Sequence, residues 1–217
     1  MCIRDRLKPD KKISQLVEKV RKEHKELTQI IAKVDQPGYR KYYRESTIGN
    51  FMADMMRKVS KADIGLVNSG SIRADLNKGD ITSEELSNIY PFLDTYHIVE
   101  IDGTNLKKLL EYSYSLKYGL AQLSGINCKY DSKKPVGQRL IKAKVNGRKI
   151  KSNKKYTVVS SSFVANGGDG YDMLKNGKRI AVSELNLIDY FHEYLTEKET
   201  IIMPSLGRQI DISYHED

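Results

Sequence analysis

Hydrophobic residues recur at helical spacing along the first part of the chain. From Lys12 to Val34, apolar side chains follow this spacing and charged residues separate them. The periodicity predicts an amphipathic helix of roughly 30–35 Å that ends at Gln36-Pro37-Gly38. Its apolar stripe consists of Ile13, Leu16, Val17, Val20, Leu27, Ile30, Ile31 and Val34. The stripe either packs on the chain's own domain or bridges to another domain, and in the second case it stays partly exposed.

After this segment, helical and strand patterns alternate irregularly. Helices are expected over 46–60, 104–116 and 184–196, and a Thr82-x-x-Glu85 capping box opens a shorter one. β-branched or alternating runs predict strands over 63–68, 95–101, 126–130, 139–145, 156–160 and 208–212. Asn146-Gly147 indicates a type I′ hairpin. Hairpins together with longer crossovers predict an α+β fold, a mixed β-sheet with packed helices preceded by the long N-terminal helix.

The composition is that of a folded, basic domain. The chain has 217 residues, a hydrophobic content of 39% and a net charge of +9. It can therefore bury a substantial core. No apolar run reaches the about 18–20 residues that a membrane-spanning helix needs, so we expect no membrane span.

The basic surplus is concentrated around the predicted hairpin. No acidic residue occurs between Asp131 and Asp169, whereas ten lysines and arginines do. Such a surface could bind nucleic acid, could steer anionic nucleotides, or could be a solvated hairpin whose lysines protect a sheet edge. Aromatic residues are not interleaved with the basic ones, as single-strand-binding surfaces require. We therefore favour the solvated hairpin and expect no nucleic-acid partner.

The histidines form no pattern typical of a metal centre or a catalytic triad. They are His24, His97, His192 and His215, and none of them is near another in sequence. Two-metal hydrolase sites need several His and Asp ligands at short, defined spacings. No Ser-His-Asp or Cys-His arrangement is recognisable either. We expect no metal ligand and no catalytic residue in this chain.

The segment Phe163-Val-Ala-Asn-Gly-Gly-Asp-Gly-Tyr171 is the most informative chemical feature. Its glycines allow backbone with positive φ and a close approach to a ligand. Phe163 offers a flat apolar face, and Asp169 offers two acceptor oxygens for neighbouring hydroxyls. A ring beside a diol acceptor suits a nucleoside. The alternative is a tight glycine turn whose phenylalanine is core and whose aspartate caps the next segment.

Three further segments occur in a set order with this one. They are Glu45-Ser-Thr-Ile-Gly-Asn50, Asn68-Ser-Gly-Ser-Ile-Arg73 after a predicted strand, and Tyr90-Pro-Phe-Leu-Asp94 after a predicted helix. Their order and spacing resemble the C-terminal, substrate-binding domain of the 5'-nucleotidase family. The resemblance extends from about Glu45 to Arg208.

The resemblance implies a set of substrate-binding residues. In the family, two phenylalanines clamp the base, an aspartate binds the ribose and an arginine binds phosphate. The matching positions are Phe92 and Phe163 for the base, Asp169 for the ribose and Arg73 for the phosphate. Asn68 matches a ligand-contacting asparagine, and Gly119 matches a glycine that passes near the base.

The sequence departs from the family pattern at two places. A second phosphate-binding arginine usually precedes the Glu45 motif, and here Arg40 or Arg44 could take its place. Asp94 stands where asparagine or glycine is more usual after the Pro-Phe pair. A carboxylate at that position leaves the identity of the base open.

The resemblance also implies a domain organisation. Residues 1–6, Met-Cys-Ile-Arg-Asp-Arg, resemble the translation of a sequencing adapter found in metagenomic assemblies. We expect residues 7–37 to form an interdomain linker helix and residues 38–217 to form the substrate-binding domain. The family's N-terminal metallophosphoesterase domain, which holds two divalent metal ions, would then be missing from a truncated reading frame.

Function follows as an expectation from this organisation. The parent would be a metal-dependent 5'-nucleotidase that hydrolyses phosphate esters in nucleotide catabolism, and its location would be periplasmic, extracellular or at the cell surface. The chain alone would bind a nucleotide or nucleoside without hydrolysing it, with its own missing catalytic domain as its partner and no bound cofactor. The alternative is a free-standing, non-catalytic module that binds nucleotides or nucleic acid.

Overall fold

The computed structural model describes residues 10–198 and 200–214 of the chain. In this part the α-helices are α1 (Lys11–Glu23), α2 (Thr47–Ser60), α3 (Ser83–Ile89), α4 (Gly103–Ser113), α5 (Ser162–Ala165), α6 (Asp172–Lys175) and α7 (Leu187–Thr196). The strands are β1 (Ile30–Val34), β2 (Ile64–Val67), β3 (Gly79–Thr82), β4 (Thr95–Asp102), β5 (Gln122–Ser124), β6 (Ile126–Tyr130), β7 (Leu140–Val145), β8 (Arg148–Lys149), β9 (Lys155–Ser161), β10 (Lys178–Asn186), β11 (Thr200–Ile201) and β12 (Gln209–Asp211).

The largest sheet has five strands in the order β10-β4-β9-β2-β5. β9 and β2 pair in parallel, and the other neighbours in this sheet are antiparallel. A four-stranded sheet, β12-β6-β7-β8, carries the basic hairpin, and a three-stranded sheet has the order β11-β1-β3. The predicted α+β fold with mixed sheets and packed helices is confirmed.

The five-stranded sheet has a hydrophobic core on each face. Successive side chains of a strand point to opposite faces. Leu66 and Val158 accordingly belong to the core that contains α4, whereas Val67 and Val159 belong to the core that contains α2 and α7. This two-sided burial explains why the central strands are continuous apolar runs in the sequence.

The carboxylate of Glu45 joins the start of α2 to the end of the chain. Its oxygens accept hydrogen bonds of 2.9–3.0 Å from the backbone N–H groups of Gly207, Arg208 and Gln209. The amide of Asn50 donates a further bond of 2.6 Å. Glu45 is buried, and these donors replace the hydration that a buried charge loses. In this structure the Glu45 motif connects the start of α2 to residues 207–209.

The N-terminal helix is shorter than its periodicity predicts. α1 ends at Glu23, and the prediction of one helix to Val34, within a linker helix over 7–37, is wrong in extent. Ile30–Val34 is instead strand β1, which pairs with β3 and β11. Its β-branched residues fit a pleated strand, and the spacing of the apolar positions there is compatible with either element.

The apolar face of α1 is exposed. No residue of this helix is buried, and Ile13, Leu16, Val17 and Val20 are 41–64% exposed. Arg21 forms a salt bridge of 3.0 Å with Glu84 on α3, which links the end of α1 to the rest of the fold. The first half of the stripe is therefore exposed, as the bridging alternative predicts, and the bridge itself stays a prediction. Residues 1–6, with their adapter-like sequence, lie outside the described residues.

Two other helix boundaries differ from the prediction by three residues. The helix expected over 184–196 begins at Leu187, because Glu184, Leu185 and Asn186 continue strand β10. The helix expected to reach Leu116 ends at Ser113, and Leu116 has a φ of 62°. The capping box at Thr82 is present with both of its hydrogen bonds. Within the described ranges, none of the helices combines the length and apolarity that crossing a bilayer requires.

Candidate nucleotide-binding site

One cavity brings together the chemical motifs of the sequence. Its volume is about 400 Å³. It lies where β2 and β9 end: Asn68 follows β2 directly, and Phe163 is two residues beyond β9. Because these strands are parallel neighbours, their carboxyl ends meet at one edge of the sheet, where open α/β sheets bind ligands. The lining residues are Tyr42, Asn68, Gly70, Ser71, Arg73, Phe92, Asp94, Phe163 and Asp169.

Two phenylalanine rings line this site cavity. Phe163 is 48% exposed, and its ring lies against Gly168, where an added Cβ would come within 2.6 Å of three ring atoms. Phe92 is partly buried and packs edge-on against Tyr90, with ring centroids 5.4 Å apart. The Arg73 guanidinium lies 5.5 Å from the centroid of Phe92. A half-exposed aromatic face beside a second ring provides apolar surface on which a planar group can stack.

Asp169 is held in place by its neighbours. It adopts the left-handed conformation with a φ of 51° in the short 3-10 turn over 168–170. The Asn68 amide donates a 2.7 Å hydrogen bond to its carboxylate, and the Tyr112 hydroxyl donates one of 2.7 Å to its main-chain oxygen. The Ser71 hydroxyl in turn donates to the Asn68 side-chain oxygen. Asn68 therefore orients the carboxylate in addition to lining the cavity.

The positive charge of the cavity comes from Arg73. Its side chain is exposed, and its backbone N–H donates to the Ile89 carbonyl at 2.8 Å. Arg40 donates a 2.7 Å hydrogen bond from its guanidinium to the Arg73 carbonyl. Arg44 instead places its guanidinium 3.5 Å from the centre of the Tyr214 ring and lines a different cavity, of about 490 Å³. Of the two candidates for a second phosphate ligand, Arg40 lies beside Arg73.

Gly119 contacts the site through Tyr42. It has a φ of 80°, and a Cβ there would lie 2.6 Å from the Tyr42 carbonyl oxygen. The next residue, Leu120, donates a 2.8 Å hydrogen bond to that oxygen. Gly119 itself is not among the lining residues, so in this structure it supports a wall of the cavity.

Tyr42 is a lining residue that sequence reasoning did not single out as a ligand contact. Partial burial and the nearby Asp169 carboxylate raise the pKa of its hydroxyl above the ordinary value, so it remains a hydrogen-bond donor at neutral pH. Ser71 was missed in the same way. Neither position shows a signal in the sequence, because tyrosine and serine are common in loops of every kind.

None of the described histidines is among the residues that line the cavity. His97 is buried in β4, where burial and the nearby Arg179 lower its pKa. His192 lies within hydrogen-bond distance of Ser83, and the exposed His24 contacts Glu26. His215 lies outside the described residues. Within 10–198 and 200–214, no group of three or more His, Cys, Asp and Glu side chains could hold a metal ion.

Comparisons with known proteins identify the family of this chain. The family model described as "5'-nucleotidase, C-terminal domain" matches residues 28–176. The chain is 32% identical over 190 residues to the trifunctional nucleotide phosphoesterase YfkN of Bacillus subtilis, covering 80% of this chain and 13% of the relative. It is 32% identical over 193 residues to the snake venom 5'-nucleotidase of Macrovipera lebetinus, covering 76% of this chain and 47% of the relative.

A solved structure has the same fold. The 5'-nucleotidase precursor from Thermus thermophilus superimposes with a TM-score of 0.84 at 26% identity, over 92% of this chain and 43% of that one. The chain spans less than half the length of each of these three proteins. The family model matches well over half of the chain, and the chain therefore belongs to the 5'-nucleotidase C-terminal domain family.

Proposed function

We propose that this domain binds a nucleotide in the site cavity and presents it to a catalytic centre on another part of a longer 5'-nucleotidase-type phosphohydrolase. The base would lie between Phe92 and Phe163, the ribose hydroxyls would bind Asp169, and the phosphate would bind Arg73. The observation that carries the proposal is that residues from four separate segments line one cavity. Stacking on an aromatic ring contributes about 1–3 kcal/mol per base and tolerates every base.

The charges of the cavity suit the two ends of a nucleotide. A guanidinium binds phosphate oxygens in a bidentate way and stays charged at any physiological pH. Arg40, whose guanidinium binds the Arg73 carbonyl, would be the second phosphate ligand after a rotation of its side chain. Asp169, held by Asn68, supplies an acceptor pair for the two ribose hydroxyls.

The catalytic chemistry belongs, in this proposal, to the longer protein. Two divalent metal ions on a metallophosphoesterase domain would activate the water and stabilise the transition state. The similarity to a nucleotide phosphoesterase and to 5'-nucleotidases supports a parent of this class, acting in nucleotide catabolism, over a free-standing binding module. The venom relative supports an exported parent, in the periplasm, outside the cell or at its surface.

The phosphate contact can be tested on the 217-residue chain by calorimetry with AMP and adenosine. Replacing Arg73 with alanine should weaken AMP binding by about 1.5–3 kcal/mol, the range for hydrogen bonds to charged groups. Adenosine binding should change little, because adenosine has no phosphate. The matched control, Arg148→Ala, removes an exposed arginine of β8 that does not line the cavity. Equal losses for AMP and adenosine would show that Arg73 supports the fold instead.

A second experiment tests whether hydrolysis requires another domain. We expect no phosphate release from AMP when the 217-residue chain is supplied with Mn²⁺ or Zn²⁺, because its histidines are dispersed along the sequence. Phosphate can be measured colorimetrically, with the same mixture in excess EDTA as the control. Turnover that EDTA abolishes would contradict the proposal that catalysis requires another domain.

A further inference from the structure

Asp94 lines the site cavity, but the recognition of ribose and phosphate leaves its carboxylate without a role. Its position is defined by the two segments that carry the rings. Asp94 follows Phe92 by two residues, and Ser162, which precedes Phe163, donates a 2.6 Å hydrogen bond to its Oδ1 atom. This bond links the two ring-bearing segments. We therefore infer that the carboxylate faces one edge of a base stacked between the rings.

The carboxylate is held firmly and still has acceptor capacity. The hydroxyl of the buried Tyr90 donates to its Oδ2 atom at 3.3 Å, and the Asp94 carbonyl accepts a 2.6 Å bond from the Leu187 backbone. A carboxylate offers about four acceptor positions, two on each oxygen. Among the described residues, Ser162 and Tyr90 use one position on each oxygen. One acceptor position on each oxygen is therefore left for a ligand. The two positions are separated by the distance between the two carboxylate oxygens.

The nucleic acid bases differ in what they present to such a pair of acceptors. Guanine carries two adjacent donors, the ring N1–H and the 2-amino group. Adenine and cytosine carry an amino group beside an unprotonated ring nitrogen, which a carboxylate repels. Uracil carries a single N–H between two carbonyl oxygens. Only guanine matches two acceptors with two donors, and one well-formed bidentate contact to a base discriminates by about 1–3 kcal/mol.

We propose that Asp94 contacts the base edge and makes this site prefer guanine nucleotides. The inference rests on the proposed function, because it requires a base between Phe92 and Phe163. It adds a specificity residue to a stack that by itself accepts any base.

The test is calorimetric titration of GMP, AMP and UMP into the 217-residue chain. GMP should bind about tenfold more tightly than AMP, and UMP should bind most weakly. Asp94→Asn keeps the side-chain shape but replaces one acceptor with a donor, so it should abolish the GMP preference and raise UMP affinity relative to GMP. The matched control, Asp189→Asn, neutralises an exposed carboxylate on α7 and should leave the order unchanged. Ser162→Ala, which frees the carboxylate while retaining its charge, should reduce the GMP preference in part.

The outcomes separate this inference from the function on which it rests. Equal affinities for GMP and UMP in the unaltered chain would overturn the role of Asp94 while leaving nucleotide binding intact. A proportional loss of all three nucleotides in Asp94→Asn, with the order preserved, would also overturn it. Absence of binding by all three would refute the proposed function together with this inference. If Asp94→Asn does not fold, the order in the unaltered chain and in Ser162→Ala decides.

Discussion

Two glycine-containing turns of this domain share backbone with positive φ and differ in the packing and the charges around them. The site turn, residues 167–170, contains Gly167 and Gly170 with φ of 94° and 79°. The hairpin tip, Asn146-Gly147, has φ of 47° and 78°. A Cβ on Gly147 would meet no atom within 4 Å, whereas one on Gly170 would overlap the Tyr112 hydroxyl. Local conformation is therefore a poor guide to function, and the packing around the turn distinguishes the two.

The charges around the two turns differ in the same way. The hairpin places lysines opposite one another on neighbouring strands, with Lys129 facing Lys142 and Lys144 facing Lys149. Like charges in that arrangement oppose pairing slightly, and they discourage other strands from adding to the sheet. The cavity instead combines Arg73 with the carboxylates of Asp94 and Asp169. The hairpin lysines thus face one another across neighbouring strands, whereas the site has few charges, each with a distinct position.

The largest effect that we expect concerns stability and compares the two turns directly. Alanine at Gly147 should cost about 1–2 kcal/mol, the strain of a left-handed residue that carries a Cβ. Alanine at Gly170 has the same strain and must also displace Tyr112, which breaks its hydrogen bond to the Asp169 carbonyl. That loss adds about 1 kcal/mol. Urea denaturation measures the free energy of unfolding of each variant and of the unaltered chain. Equal losses in the two variants would mean that the packing around the site turn is no tighter than at the hairpin tip.

A smaller effect compares an apolar side chain from each region. Phe163 is 48% exposed at the cavity, and Ile141 is 44% exposed on β7 of the hairpin. Phe163→Ala should lower the affinity for both AMP and adenosine by about 1–3 kcal/mol, because it removes one stacking surface. Ile141→Ala should leave both affinities within a factor of about two, since the residue does not line the cavity. Calorimetry with the two ligands would reject the stack if Phe163→Ala behaved like Ile141→Ala.

Much of the fold could be predicted because local and tertiary preferences agree. The helix expected over 46–60 is α2, begun by the Ser46 N-cap, and the strand expected over 126–130 is β6. Strand β10 was missed, and one predicted helix was wrong in extent where a single pattern fits two elements. Ile30–Val34 satisfies a helical period and a strand alike, and its partners β3 and β11 are about 50 and 170 residues away in the chain. Such long-range pairing leaves no trace in a local window.

Several residues that line the cavity were predictable from the resemblance. The resemblance of ordered motifs placed Asn68, Phe92 and Asp169 among the ligand contacts, and the structure brings all of them to one cavity. The sequence could not distinguish Arg40 from Arg44, because they are four residues apart and only the course of the loop separates their directions. It also placed Gly119 near a ligand, whereas the fold places it against the backbone of Tyr42. Which side chains share a cavity is decided by packing between distant segments.

The hydrogen bonds that Glu45 accepts from residues 207–209 limit how far this domain can be shortened at its C-terminal end. The family match ends at residue 176, but the three backbone donors to Glu45 lie at residues 207–209. A protein shortened to the matched range would lose these three donors together with β10, α7 and β12, so water would have to solvate the Glu45 carboxylate in their place. Residues 207–209 therefore help to hold the segment that begins α2, and the physical domain is longer than its recognisable sequence signature.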